Sequence, residues 1–317
     1  MKISLHLRSG LLALSLAAVV LIPHVSAKAA LMAYDGFISG GATPNTAAGE
    51  YETTTGFAND ELIGQNPTTT GFDSTAWTNS SSSYAAHIYY KTDDDQLTYV
   101  DSTFRQLNTS FGQLDLTRNS GTGGDVKQVF RDLDIGNALP DTLYISVLVQ
   151  LSPSAEFMLR SASTDGSSIR RFNFGIDAVG NPFATGSGTG GFTDTNTGIT
   201  VATDQPHLLV AKLTNDGFES DQIDLYLDPD LQSEGLNTPV ATVDGGNFYV
   251  GGNGSWTLKD IFFFNNPSDD GEYVIMDEVR VGEFWSDVTP FTIVPEPATA
   301  ALMLVPMASL MLRRRRA

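Results

Sequence analysis

Thr142-Leu-Tyr-Ile-Ser-Val-Leu-Val-Gln150 decides the fold class. Leu143, Ile145, Val147 and Val149 recur every second residue, the period of a β-strand with one buried face. The same period returns on either side. Arg171-Phe-Asn-Phe-Gly-Ile-Asp177 alternates Phe172, Phe174 and Ile176 against polar residues. In Ile223-Asp-Leu-Tyr-Leu-Asp228, Ile223, Leu225 and Leu227 point inward while Asp224, Tyr226 and Asp228 point outward. His207 to Leu213, Trp256 to Phe264 and Tyr273 to Val281 read as further strands, and Tyr84 to Tyr90 as a weaker one. The Gly, Ser and Thr clusters at Asn79 to Ser83 and Thr185 to Gly191 read as loops. No long segment between Ala30 and Thr292 carries helical periodicity. The expectation is one all-β domain over residues 30–292, a two-sheet antiparallel sandwich.

Composition narrows the function. The 317 residues are 41% apolar and 17% charged, enough apolar material for a packed core. Lys+Arg 18 against Asp+Glu 37 gives a net charge of −19, so no cationic face is available to nucleic acid. The absence of cysteine removes disulfides, thiolate metal sites and cysteine nucleophiles together.

Both ends read as addresses. Lys2 and Arg8 precede an apolar run from Leu11 to Ile22, then Pro23 and an Ala27-Lys28-Ala29 site, which describes a signal peptide over 1–29. The signal segment is expected to form a helix. The other end, residues 293–317, begins with Val294-Pro295-Glu296-Pro297. An apolar stretch over 298–312 and then Arg313 to Arg316 follow. As a helix the apolar stretch spans about 22 Å, short of the ~30 Å hydrocarbon core. Snorkelling arginines help to close that gap, and they place the tail end on the cytoplasmic side. The body is then expected outside, reached through the Sec translocon and held by a short transmembrane helix.

This tripartite tail closely resembles the PEP-CTERM sorting signal of bacteria that make extracellular polysaccharide. The resemblance implies that an exosortase reads Pro295, Glu296 and Pro297, with Arg313, Arg314, Arg315 and Arg316 retaining the tail inside. Removal of the tail would release the body to the cell surface or extracellular matrix. Pro306 departs from the family's usual run of Leu, Gly and Ala.

The body resembles the concanavalin A-like lectin/glucanase (LamG-like) jelly roll. The resemblance is carried by Leu31-Met-Ala-Tyr-Asp-Gly-Phe37, His207-Leu-Leu-Val-Ala-Lys-Leu213, Ile223-Asp-Leu-Tyr-Leu-Asp-Pro-Asp230 and Met276-Asp-Glu-Val-Arg-Val-Gly282 before Trp285. Glucanases of that fold carry Glu-x-Asp-x-x-Glu. The nearest stretch here is Glu219-Ser-Asp-Gln-Ile-Asp224, which ends in Asp and reads as a polar lead into a strand. Adjacent strand residues face opposite ways, so Asp277 and Glu278 are expected not to act together.

No Gly-x-Ser-x-Gly elbow is present, and His87 and His207 sit in strand-like runs. Gly186-Ser-Gly-Thr-Gly-Gly191 matches a dinucleotide fingerprint but lacks the following helix. The expectation is therefore no catalytic and no cofactor-binding residue, hence not an enzyme. Calcium is the one cofactor the sequence accommodates, through the acidic turns Asp93-Asp94-Asp95, Asp216 to Glu219 and Asp269 to Glu272, with no ligand assigned. Trp77 is the candidate glycan contact, being the tryptophan expected to be exposed; Trp256, within a strand, reads as core. The functional expectation is a non-catalytic structural or carbohydrate-binding module meeting extracellular polysaccharide. The alternative is a divergent jelly-roll hydrolase or lyase, and a third reading is a plain spacer.

Overall fold

A computed structural model describes residues 31–38, 68–79, 87–89, 97–110, 112–116, 127–135, 139–164, 169–188, 191–196, 198–215, 221–246, 258, 260–265 and 272–294. Both sorting segments, Trp256 and most of the acidic turns lie outside them. Among the described residues no helix is long and apolar enough to cross a membrane.

Strand periodicity becomes two antiparallel sheets. The larger runs β14 (Ala241–Gly246), β13 (Asp221–Leu227), β12 (Pro206–Thr214), β7 (Thr142–Leu151), β16 (Val274–Gly282), β5 (Gln113–Asp115) and β3 (His87–Tyr89). Its eighth strand, β1 (Leu31–Asp35), also pairs with β16. The second runs β11 (Gly191–Asn196), β10 (Pro182–Gly188), β9 (Ile169–Ile176), β8 (Phe157–Thr164), β15 (Asp260–Asn265), β6 (Lys127–Asp132) and β2 (Thr78–Asn79). Hairpins stay within a sheet, but the chain changes sheet repeatedly, for example between β6 and β7, β7 and β8, β11 and β12, β14 and β15, and β15 and β16. Late strands thereby insert between early ones.

The inward faces are those the alternation specifies. Leu143, Ile145, Val147 and Val149 of β7 meet Phe157, Leu159, Phe172, Phe174 and Phe263 from the opposite sheet in one continuous core. Each such side chain contributes about 1.5–3 kcal/mol on burial. Gly71 and Gly112 let loops close onto β1 and its end. At φ 74° and 148° a Cβ would stand 1.9 Å from the carbonyl oxygens of Met32 and Phe37 respectively.

Two features depart from the sequence reading. Thr185 to Gly188 and Gly191 belong to paired strands, with Gly188 opposite Gly191. Gly, Ser and Thr contribute little strand signal, so pairing with β9 rather than propensity forms β10. The outward face of the large sheet is also covered. Tyr144, Leu148, Leu208, Val210 and Tyr226 lie beneath Leu97, Tyr99, Leu107, Leu231, Trp285 and Val288, a second apolar cluster. Trp285 opens the short helix α1 (Trp285–Val288), and its ring meets Tyr226 edge-on at 5.2 Å. Nearby, β17 (Phe291–Ile293) pairs with β4 (Arg105–Leu107). Glu234 fastens this layer, accepting from Tyr144 at 2.5 Å, Lys212 at 2.7 Å and Tyr226 at 2.9 Å. Burial opposes its charge, but these three donors hold its carboxyl below the usual range.

Candidate functional site

β16 lends one edge to β7 and divides the other. Ile275 and Met276 pair with β5, and Val279 to Gly282 pair with β1. At the changeover the β7 register shifts between Asp277 and Arg280, and Glu278 takes φ 55°. Positive φ is uncommon outside glycine, and here it marks the extra residue of a β-bulge. The bulge overturns the expectation that Asp277 and Glu278 act apart. Both are fully buried, and Asp277 feels the Glu278 charge.

Glu278 accepts from Tyr34 Oη at 3.3 Å, from the Ser110 amide and from Arg280 Nη2. Arg280 also donates to Asn108 O at 2.7 Å and lies 4.6 Å above the Tyr34 ring. Burial and the Glu278 charge both push the Tyr34 phenol well above its usual range. Asp277 Oδ1 accepts from the Glu278 amide at 2.8 Å, while Oδ2 has no partner. Burial first, then the Glu278 charge, lifts Asp277 far above the ordinary carboxylate range. Gln113 stands one residue before Leu114, the partner of Met276, and neither of its buried amide atoms is bonded. Two hard oxygens, Asp277 Oδ2 and Gln113 Oε1, therefore lack protein partners. Calcium takes six to eight oxygens, so these two do not complete a site. Among the described residues no group of three or more His, Asp or Glu converges on a metal position. Asp277 and Glu278 are closed to solvent, so this cluster is not where a polymer could bind.

A second pair of carboxylates is less completely enclosed: Asp132 is half-buried and Asp260 is 6% exposed. Asp132 ends β6, Asp260 opens β15, and the two are directly opposite in the register. Their neighbours Arg131 and Ile261 are likewise opposite, and both are buried on the core side. Alternation therefore turns Asp132 and Asp260 to the other face of the seven-stranded sheet. Directly opposed residues carry Cβ atoms about 4.5–5.5 Å apart. No motif in the sequence announces the pair, because only strand pairing brings it together.

Trp77 is a correction. It is 0% exposed and stacks on Phe263 at 5.6 Å, between Phe37 and Phe72. A ring enclosed in the core offers no face to a glycan. Arg131 explains the local chain path: it donates to the carbonyls of Thr75 and Asp73 and to Thr69, drawing the segment that carries Trp77 inward.

No family model and no curated protein matches this chain. Among solved structures it is similar to an endo-β-1,4-glucuronan lyase from the fungus Trichoderma reesei, at 13% identity and TM-score 0.39, covering 64% of this chain and 93% of that one. It is similar to the alginate lyase of Aplysia kurodai at 9% identity and TM-score 0.42, over 61% and 89% of the two chains. The β-glucanase of Bacillus licheniformis matches at 12% identity and TM-score 0.40, over 70% and 95%. All three are enzymes. Their names run against the expectation of a non-enzyme, and what they share with this chain is the antiparallel β-sandwich.

His207, expected in a strand, lies in β12 and is the one described histidine with its ring partners in view. When protonated it donates from Nδ1 to Asp228 Oδ2 at 2.7 Å and from Nε2 to Ala202 O at 2.8 Å. Burial disfavours the charged ring, but Asp228 and the Ala202 carbonyl outweigh it and raise the pKa above 6.5. A pKa raised by folding stabilises fully below the unfolded value and loses that contribution as pH rises through the folded one. Stability is therefore expected to decline above about pH 6.5. His207→Gln should flatten that decline. Urea midpoints of both proteins across pH 5.5 to 8.5 check it, and parallel curves would contradict it.

Proposed function

We propose that this protein is an exported, surface-sorted enzyme that hydrolyses extracellular polysaccharide, with Asp132 and Asp260 as its paired carboxylates. The observation that carries the reading is their direct opposition on neighbouring strands. Like charges placed this way weaken a strand pair. Local conflicts of that kind are expected where a fold serves chemistry. In a retaining mechanism one residue, protonated, gives its proton to the glycosidic oxygen. The other attacks the anomeric carbon as the bond to the leaving sugar breaks. Water then displaces the carboxylate from the glycosyl ester and returns a proton to the first residue. Asp260, the more enclosed of the two, takes the proton-donor role in this reading and Asp132 the attacking one.

The test is release of product from neutral glucans and from uronate polymers. Reducing ends without an unsaturated, ultraviolet-absorbing terminus support hydrolysis. An unsaturated terminus would replace it with a lyase reaction, and no release from any polymer would refute the enzyme reading.

Export and sorting belong to the same proposal, with the Sec translocon and an exosortase as processing partners. The signal segment and the order of Pro295-Glu296-Pro297, apolar stretch and arginine cluster support it. Replacing Pro295, Glu296 and Pro297 by alanine is expected to leave full-length protein in the membrane fraction. Unchanged processing in a host carrying an exosortase would contradict that.

A further inference from the structure

We propose that the cavity at one end of the sandwich binds a short neutral acyl chain, an ester or amide of roughly six to eight carbons. The cavity holds about 390 Å³ and lies where the end of β7 meets the turn after β9 and the 200–203 segment. That volume falls at the lower end of the ~300–1,000 Å³ range of small-molecule sites. It does not depend on the hydrolase reading, since none of its walls contains Asp132 or Asp260.

The lining determines the ligand class. Leu151, Ala155, Ile176 and Val201 are buried and form an aliphatic floor, and Val179 stands 71% exposed at the lip. Ser154, Thr200 and Thr203 line the cavity and are exposed, so a hydroxyl-bearing rim is available to an ester or amide carbonyl. Among the described residues no ionisable side chain lines the cavity, so a charged ligand would lose its hydration without a compensating partner there. No aromatic ring lines it either, which removes the usual platform for a sugar face. An uncharged aliphatic chain with one polar end is the chemistry that remains.

The walls are tied to one another, so the space is built before any ligand arrives. Val201 N donates to Gly180 O and Asp204 N to Leu151 O, both at 2.8 Å. Asp177 Oδ1 accepts from the amides of Val179 and Asn181 at 3.0 and 2.7 Å, fixing the turn that carries the lip. His207 Nε2 holds the Ala202 carbonyl at 2.8 Å, between Val201 and Thr203. Ser154 and Gly180 take φ 67° and 83°, giving the two turns their sharp reversals. Preorganisation of this kind lowers the ordering cost of binding.

The test uses the full chain, with methyl groups followed by NMR. Ethyl hexanoate, sodium hexanoate and methyl α-glucoside are titrated separately. The ester is expected to shift the Ala155, Val179 and Val201 methyls saturably. Hexanoate, which carries an uncompensated charge, should bind at least roughly tenfold more weakly. Val179→Asp charges the exposed lip without entering the core, and should weaken the ester at least roughly fivefold at unchanged melting temperature. Thr200→Trp, also at the exposed rim, should obstruct the mouth. No methyl shifts with the ester, equal binding of ester and hexanoate, preferential binding of the glucoside, or unaltered ester binding by both variants would each overturn the proposal.

Discussion

Arg280→Ala is expected to destabilise the protein by about 3–5 kcal/mol, the cost of leaving a buried carboxylate without its cation. Glu278 is fully buried and Arg280 is 8% exposed, so solvent cannot take over the lost charge. Tyr34 Oη and the Ser110 amide would remain as donors, but neither carries charge. The Asp277 carboxyl beside them would add no cation. The double substitution Glu278→Gln with Arg280→Met should cost much less, because no charge then stays buried. Urea unfolding of the three proteins measures this. A loss below roughly 1 kcal/mol for Arg280→Ala would mean that the Glu278 charge is not held by Arg280.

The second large effect concerns activity and has the opposite sign for stability. Asp132→Asn and Asp260→Asn each remove one carboxylate from an opposed like-charged pair. At the half-buried Asp132, relief of that repulsion is expected to be neutral or to stabilise by roughly 0.2–1 kcal/mol. Polysaccharide cleavage should fall by roughly 10²–10⁴-fold, the usual contribution of a positioned proton donor or acceptor. Loss of activity with a maintained or raised melting temperature separates a chemical role from a packing role. Two variants that lose activity only in step with melting would assign the pair to structure instead.

Much of the scaffold is legible in the sequence, because period-2 alternation depends on burial alone. The β7, β9, β12, β13 and β16 segments read correctly for that reason. The same rule fails wherever the ladder is irregular. Asp277 and Glu278 are separated on paper by one strand step, and one residue in positive φ brings them into one cluster. The β10–β11 pair is invisible because glycine and serine carry little strand preference. Tyr226 does leave the sandwich core, as alternation requires, but segments distant in the chain, around Leu97 to Leu107 and Trp285 to Phe291, then cover it. Trp77 reads as exposed because its neighbours are polar. Its burial follows from Arg131, which gathers the carbonyls of that segment from a strand far along the chain. Asp132 and Asp260 share no motif and become neighbours only through the pairing of β6 with β15. The hydrophobic pattern therefore locates strands, whereas the candidate chemistry depends on register between distant strands.

The most direct measurement of the central claim is covalent trapping. A 2-deoxy-2-fluoro glycosyl fluoride of the sugar found in the cleaved polymer is incubated with the full chain. The carboxylate nucleophile displaces fluoride, and the ring fluorine slows hydrolysis of the resulting ester. Peptide mass spectrometry is predicted to find the glycosyl label on the peptide containing Asp132, with none in the Asp132→Asn protein. A label on a different carboxylate, or no label while cleavage proceeds, would contradict the assignment of Asp132 and Asp260 as the reacting pair.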